Sequence, residues 1–305
     1  MGRIDMHDIV IIGAGTAGLS AAIYACRSGK SVLVLEENYY GGQIVNTPQI
    51  ENYPGIQNIS GFDFASGLFE QAKALGTEFV FAKAESIRNT EGQREVVTAE
   101  KVYPCKAIIL ATGAKNRMLG LEKEKELTGK GVSYCATCDG AFFKGKTVAV
   151  CGGGNTALLD ALHLSEGCEK VYVIHRRQEF RAEEHLQERV AEKKNIRCML
   201  ECGITELLGE DALQGIVVES LADGRKNILE VDGLFIAIGH VPDNYRFEDS
   251  IALDEKGYVI AGEDCKTSME GVFVAGDCRT KHVRQLTTAA ADGSVAALAA
   301  CEYIG

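Results

Sequence analysis

A strand, a glycine-rich turn, a helix and a second strand occur twice in this chain with the same internal spacing. In the first copy the apolar run Asp8-Ile-Val-Ile-Ile12 leads into Gly13-Ala-Gly15-Thr-Ala-Gly18. A helical stretch to Ser28, a capping Gly29 and the strand Ser31-Val-Leu-Val-Leu35 follow, ending at Glu36. In the second copy Thr147-Val-Ala-Val-Cys151 leads into Gly152-Gly-Gly154-Asn-Thr-Ala157, a helix to about Ser165, and the strand Val171-Tyr-Val-Ile174 before His175. Gly13 to Glu36 and Gly152 to His175 span equal stretches, so glycines, helix and second strand recur at one offset. Short apolar strands alternating with helices build parallel sheets covered on both faces. The pattern predicts an α/β protein with two Rossmann-like, three-layer nucleotide-binding domains.

Each copy closes on an apolar strand ending in glycine, Ile108-Ile-Leu-Ala-Thr-Gly113 in the first and Leu234-Phe-Ile-Ala-Ile-Gly239 in the second. A further strand, Gly271-Val-Phe-Val-Ala-Gly276-Asp277, has no glycine-rich loop of its own and needs a sheet to join. Its return to the first domain makes the second an insertion, with the first spanning 1–115 and 245–305 and the second 116–244. The connections near Lys115 and near Pro242-Asp243 are then expected to act as a hinge.

In a G-x-G-x-x-G turn the first glycine makes the tight bend, the second lets a pyrophosphate approach the backbone, and the third lets helix and strand pack closely. Gly13, Gly15 and Gly18 fit these roles, and Glu36 can accept hydrogen bonds from the ribose diol of FAD or NAD. The second copy places His175, Arg176 and Arg177 at that point, with Arg181 shortly after. Guanidinium groups bind a 2′-phosphate that a carboxylate would repel, so this site is expected to select NADPH.

The chain has 305 residues, 46% hydrophobic and 25% charged, enough apolar mass for two cores. Thirty-two basic against 43 acidic residues give a net charge of −11, the wrong sign for holding a nucleic-acid backbone. Its apolar runs are one strand long, too short to span a membrane. Met-Gly-Arg-Ile-Asp-Met runs directly into the first strand, without room for a signal peptide, which points to the cytosol.

Eleven cysteines show no regular framework of spacings, and most are expected to be free. The exception is Cys135-Ala-Thr-Cys138, a redox pair or half a zinc site, with Cys198 and Cys202 as the conceivable other half. Neither H-x-x-x-H nor G-x-S-x-G spacing is present, so metallohydrolase and serine-hydrolase readings have no residues to rest on.

Over essentially its whole length the chain resembles the low-molecular-weight thioredoxin reductases. The resemblance is carried by Gly13-x-Gly-x-x-Gly18, Gly41-Gly-Gln43, Glu51-Asn-Tyr-Pro-Gly55, Ala111-Thr112-Gly113, Cys135-Ala-Thr-Cys138-Asp139, Gly152-Gly-Gly154-Asn155-Thr156-Ala157, His175-Arg-Arg177 with Arg181, Gly276-Asp277 and Arg284-Gln285. It implies FAD in the first domain, NADPH in the second, thioredoxin as the oxidising partner, and a homodimer. It also implies that Gln43 and Asn52 touch the flavin, Asp277 the ribityl chain, and Arg284, Gln285 and Leu286 the phosphate and isoalloxazine end. Asp139 takes the place of the acid–base residue beside the dithiol. Tyr39-Tyr40, Leu158-Leu159-Asp160 and Cys278 depart from the pattern, and Cys278 beside a flavin site is the oddest of these.

Overall fold

The computed structural model describes residues 6–47, 49–90 and 93–305; most of the N-terminal segment, residues 1–5, lies outside them. The chain divides into two compact units, Met1–Lys115 with Val241–Gly305, and Asn116–His240.

The first unit is built on β1 (His7–Ile12), α1 (Thr16–Arg27), β2 (Val32–Glu36), α2 (Gly61–Ala74), β3 (Glu78–Phe81), β4 (Ala84–Thr90), β5 (Gln93–Thr98) and β6 (Val102–Leu110). Its sheet runs β3-β2-β1-β6-β5-β4. β6 changes neighbour along its length: Val102–Cys105 pair antiparallel with β5, and Ile108–Leu110 pair parallel with β17 (Val272–Val274). The late apolar strand thus finds its sheet beside β6. Alternation along β1 fills both faces. Ile9 and Ile11 pack under α1 and α7 (Leu286–Ile304), while Val10 and Ile12 join Leu33, Leu35, Ile87, Val96 and Phe247 on the other side. α1 and α7 meet through small residues, so closely that a Cβ on Gly293 would lie 2.3 Å from the Ala17 carbonyl oxygen.

The chain passes between the units through β7 (Ala114–Asn116) and β16 (His240–Pro242), which pair with each other. The second unit contains α3 (Glu124–Leu127), β8 (Val132–Ser133), α4 (Ala136–Asp139), β9 (Thr147–Cys151), α5 (Asn155–Ser165), β10 (Lys170–Ile174), α6 (Glu184–Glu192), β11 (Ile196–Met199) and β15 (Gly233–Ile236). Its parallel sheet runs β11-β10-β9-β15-β8. One face carries α5 and α6 over Val148, Val150, Val171 and Val173. The other is covered by an antiparallel meander, β12 (Cys202–Leu208), β13 (Gly215–Ser220) and β14 (Lys226–Leu229), through Leu207, Ile216 and Val218. Among the described residues no helix is long and apolar enough to cross a membrane.

Candidate active site

In the first unit the three glycines of the loop have different surroundings. Gly13 has φ +108°, and a Cβ there would meet the Ala111 carbonyl oxygen at 2.3 Å; on Gly18 it would meet that of Gly13 at 1.9 Å. Around Gly15, chain neighbours aside, nothing among the described residues lies within 4 Å of that position. The first and third glycines therefore close the fold, and the second leaves bare backbone facing open space. α1 has neither a side-chain N-cap nor an acid in its first turn, so its leading N–H groups remain available to an anion. At the end of β2 the Glu36 carboxylate accepts from the N–H groups of Ala14 (2.8 Å) and Asn38 (3.0 Å). One bond to each oxygen fixes it while leaving acceptor capacity for a diol.

The strand end Ala111-Thr112-Gly113 lies beside this loop, and Thr112 donates to Asn244 Oδ1 at 2.7 Å. Asn244, fully buried, in turn donates to the carbonyls of Gly257 and Cys278, both at 2.9 Å. The sequence motifs did not single it out; it ties the returning chain to the loop end. Asp277 Oδ1 is buried with no hydrogen-bond partner among the described residues. Burial raises its carboxyl above the ordinary range, with Lys281 and Arg284 pulling the other way. Such an orphaned acceptor is what a hydroxyl-bearing ligand would satisfy.

Arg284 donates to the carbonyls of Asp277, Lys281 and Arg279 and lies 4.3 Å from the Tyr258 ring centroid, so it braces the loop. Gln43 donates to the Ala114 carbonyl, and Asn52 to Gln285 Oε1 at 3.3 Å. Gln285 caps α7 reciprocally with Thr288, and Leu286 follows half-buried. Cys278 is fully buried, its thiol 3.3 Å from the Ala275 carbonyl and raised by burial. It is an inert packing residue between β6 and β17, which accounts for its place after Gly276-Asp277.

The second unit repeats the loop with its own supports. A Cβ on Gly152 would lie 2.4 Å from the Ala237 carbonyl oxygen, whereas Gly154 has open space and begins α5 without a side-chain cap. Asn155 holds the opposite loop, donating to Glu183 Oε1 (2.7 Å) and accepting from Glu183 N–H (2.9 Å). Thr156 is exposed beside it, and Ala157 packs into the core. The Arg181 N–H donates to the Gly153 carbonyl at 2.7 Å, tying the arginine loop to the glycine loop. Arg176, Arg177 and Arg181 are exposed, and none is ion-paired among the described residues.

His175 has a different place from its three neighbours. It is 5% exposed, stacked on Phe180, with Nε2 3.1 Å from the Glu179 carbonyl oxygen. Its ring lies so close to Gly153 that a Cβ there would be 2.3 Å away. Burial lowers its pKa, so it is neutral near pH 7 and shapes the glycine loop without adding charge.

Cys135 and Cys138 form a disulfide with Cα atoms 5.3 Å apart. α4 packs on α5 in the same unit, with Ala136 buried in the core cluster that holds Ala157 and Ala161, and Gly140 lies against the Leu164 side chain. Ser133, 4% exposed at the end of β8, donates to Asp139 Oδ2 at 2.6 Å and accepts from Cys135 N–H at 3.1 Å. Burial raises the Asp139 carboxyl above its ordinary range, and the Ser133 bond partly offsets this. Ser133 is a site residue the motifs missed, and its signal is only its nearness in sequence to Cys135. Burial also pushes the thiols of Cys105, Cys151 and Cys265 up to about 12, leaving them unreactive near neutral pH. Cys198 and Cys202 are free, and no group of three or more metal-ligating side chains occurs among the described residues.

The family model for pyridine nucleotide-disulphide oxidoreductases matches residues 7–293. A 34.2 kDa protein in the rubredoxin operon of Clostridium pasteurianum is 42% identical over 98% of this chain and 97% of its own length. The thioredoxin reductase of Listeria monocytogenes is 38% identical, covering 98% of this chain and 94% of that protein. The crystal structure of thioredoxin reductase from Streptococcus pyogenes superposes with a TM-score of 0.94 at 37% identity, over 99% of both chains. With two glycine-rich nucleotide loops and a disulfide beside the second, the chain belongs to the pyridine nucleotide-disulphide oxidoreductase family, in its thioredoxin reductase branch.

Proposed function

We propose that this chain reduces thioredoxin disulfide with electrons from NADPH, using FAD and the Cys135–Cys138 pair. The observation that carries the reading is that the disulfide sits on α4, packed against the very helix that the second glycine loop opens. The first unit is the FAD domain: Gly15 offers open backbone, Glu36 a fixed carboxylate and Asp277 an orphaned acceptor, all suited to a dinucleotide with a polyol chain. The second is the NADPH domain. Bound FAD supplies the step that turns a hydride into an electron pair for a disulfide.

The residues of the chain then perform thiol–disulfide exchange. The Cys135 thiolate attacks one sulfur of the partner disulfide, forming a mixed disulfide and releasing a thiolate on thioredoxin. Cys138 attacks the Cys135 sulfur, the intramolecular disulfide re-forms, and thioredoxin leaves as a dithiol. Asp139, whose raised pKa lets it hold a proton nearer neutrality, moves that proton to and from sulfur. Asp139→Asn should lower thioredoxin turnover by about 10²-fold or more. It should also remove the decline in rate that follows deprotonation of Asp139 as pH rises; an unchanged pH profile would assign the proton elsewhere.

Arg177 reads the 2′-phosphate together with Arg176 and Arg181. Charge-assisted bonds of this kind make Arg177→Ala weaken NADPH use by about 10- to 100-fold with NADH use nearly unchanged. Equal losses with both nucleotides would show that Arg177 does not touch the phosphate. The protein is proposed to work in the cytoplasm, where unpaired thiols such as those of Cys198 and Cys202 persist, and as a homodimer by likeness to its family. The function itself is tested by NADPH oxidation that depends on added oxidised thioredoxin. Rapid oxidation in its absence, or only with another disulfide protein, would redirect the assignment.

A further inference from the structure

Behind the Asp277 turn lies a group of ionised side chains to which the redox scheme gives no role. Asp292, 7% exposed on α7, accepts four hydrogen bonds. Arg279 supplies two in a fork, Nε to Oδ2 and Nη2 to Oδ1, each 2.9 Å. Lys281 Nζ adds a third to Oδ2 at 2.8 Å, and the Gly276 N–H a fourth at 3.0 Å. Arg279 is 4% exposed and the Lys281 side chain 7%. Although burial opposes ionisation of Asp292, the two cations outweigh it and hold the carboxyl below its ordinary range.

Burying such charges is a poor way to gain stability, since apolar packing of the same volume usually does as well. What an apolar side chain could not do is hold the Gly276 N–H. Gly276 has φ +84°, and a Cβ there would lie 2.8 Å from Ala17 Cβ, so the turn passes closely over the first turn of α1. The following side chain is Asp277, with its unpartnered buried oxygen. The Asp292 bond fixes the Ala275–Gly276 peptide, and the Gly276 φ of +84° that follows sets where the Asp277 side chain points.

We propose that Asp292 is a positioning residue for the flavin cofactor: by fixing the Gly276 N–H it aims Asp277 at bound FAD, while the two-bond fork from Arg279 suffices to keep Asp292 ionised and immobile. The proposal rests on the reading of the first unit as the FAD domain. It predicts that Asp292 and Asp277 act as one element, whereas the Lys281 charge is dispensable.

The test is FAD titration of deflavinated protein, with the visible spectrum of the bound flavin recorded for each variant. Because Asp292→Leu alone leaves two buried cations facing no carboxylate, the pair Lys281→Met/Asp292→Leu is used, which keeps the net charge of the cluster and leaves Glu263, 3.9 Å from Arg279 Nη2, as its partner. Lys281→Met should bind FAD within about threefold of the parent, and Lys281→Met/Asp292→Leu at least about 10-fold more weakly, with a perturbed flavin spectrum. Asp277→Asn alone should lose a similar factor, and adding it to the pair should lose less than about threefold more, because contacts that act together are not additive. Multiplying losses, or an equal loss in Lys281→Met alone, would overturn the positioning role. If the parent chain binds no FAD, the functional reading itself fails, an outcome distinct from either of these.

Discussion

Replacing either Cys135 or Cys138 with serine should lower thioredoxin turnover by more than about 10³-fold while NADPH still bleaches the flavin. The exchange needs two thiols because each sulfur has a separate step: one attacks the partner, the other releases it. A serine at 138 would strand the enzyme as a mixed disulfide with thioredoxin, a species visible on a non-reducing gel and dissolved by dithiothreitol. Cys135→Ser should yield no such adduct, because Cys135 is the sulfur that attacks the partner. Adducts of equal amount in both variants would mean that either cysteine can attack. Normal turnover in either variant would remove the pair from the pathway.

The glycines of the first loop give the second large effect, and two of them should respond in opposite ways. A methyl on Gly18 would lie 1.9 Å from the Gly13 carbonyl oxygen and 3.3 Å from Ala111 Cβ. Backbone cannot yield there as the end of a side chain could, so α1 must move off the sheet. Gly18→Ala should therefore lose about 1–3 kcal/mol of stability and purify without yellow colour. Gly15→Ala adds a methyl that meets nothing within 4 Å among the described residues beyond its own chain neighbours, and the φ of −77° suits alanine. It should unfold at nearly the parent temperature as apoprotein, yet bind FAD at least about 10-fold more weakly, because the methyl fills the space a pyrophosphate takes. Thermal melts of both apoproteins and FAD titrations separate the two effects. Full FAD affinity in Gly15→Ala would show that the ligand does not approach that backbone.

The parts of the fold that could be read from the sequence are those in which local chemistry and long-range order agree. The strand–glycine–helix repeat reports both, since the glycines are dictated by backbone contacts at Gly13, Gly18 and Gly152, and the strands are buried on two faces. The meander of β12, β13 and β14 was not legible. Its strands carry exposed residues such as Glu206, Lys226 and Ile228 on one side, and their pairing depends on turns with weak signals. The same limit applies to the site. Glycines of the nucleotide loops announce themselves by spacing, but Asn244 and Asp292 act through hydrogen bonds between segments apart in sequence, and Ser133 through bonds to Cys135 and Asp139 that no spacing pattern marks. His175 shows the converse case, a basic residue in a basic motif that the fold turns inward against Gly153 and Phe180. Asp139 was marked by its position after Cys138, while the burial that makes it useful as a proton carrier became visible only with Ser133 and the packing of α4 on α5.

In this scheme one chain holds two acceptors of electron pairs in series, a flavin and the Cys135–Cys138 disulfide. Anaerobic titration of the yellow protein with NADPH, followed by its visible spectrum and by counting accessible thiols, addresses this directly. About two NADPH should be taken up per chain, one for each acceptor, with bleaching of the flavin and two new thiols. Added oxidised thioredoxin should then restore the yellow colour. Uptake of a single equivalent with no new thiols, or a reduced protein that thioredoxin leaves colourless, would contradict it.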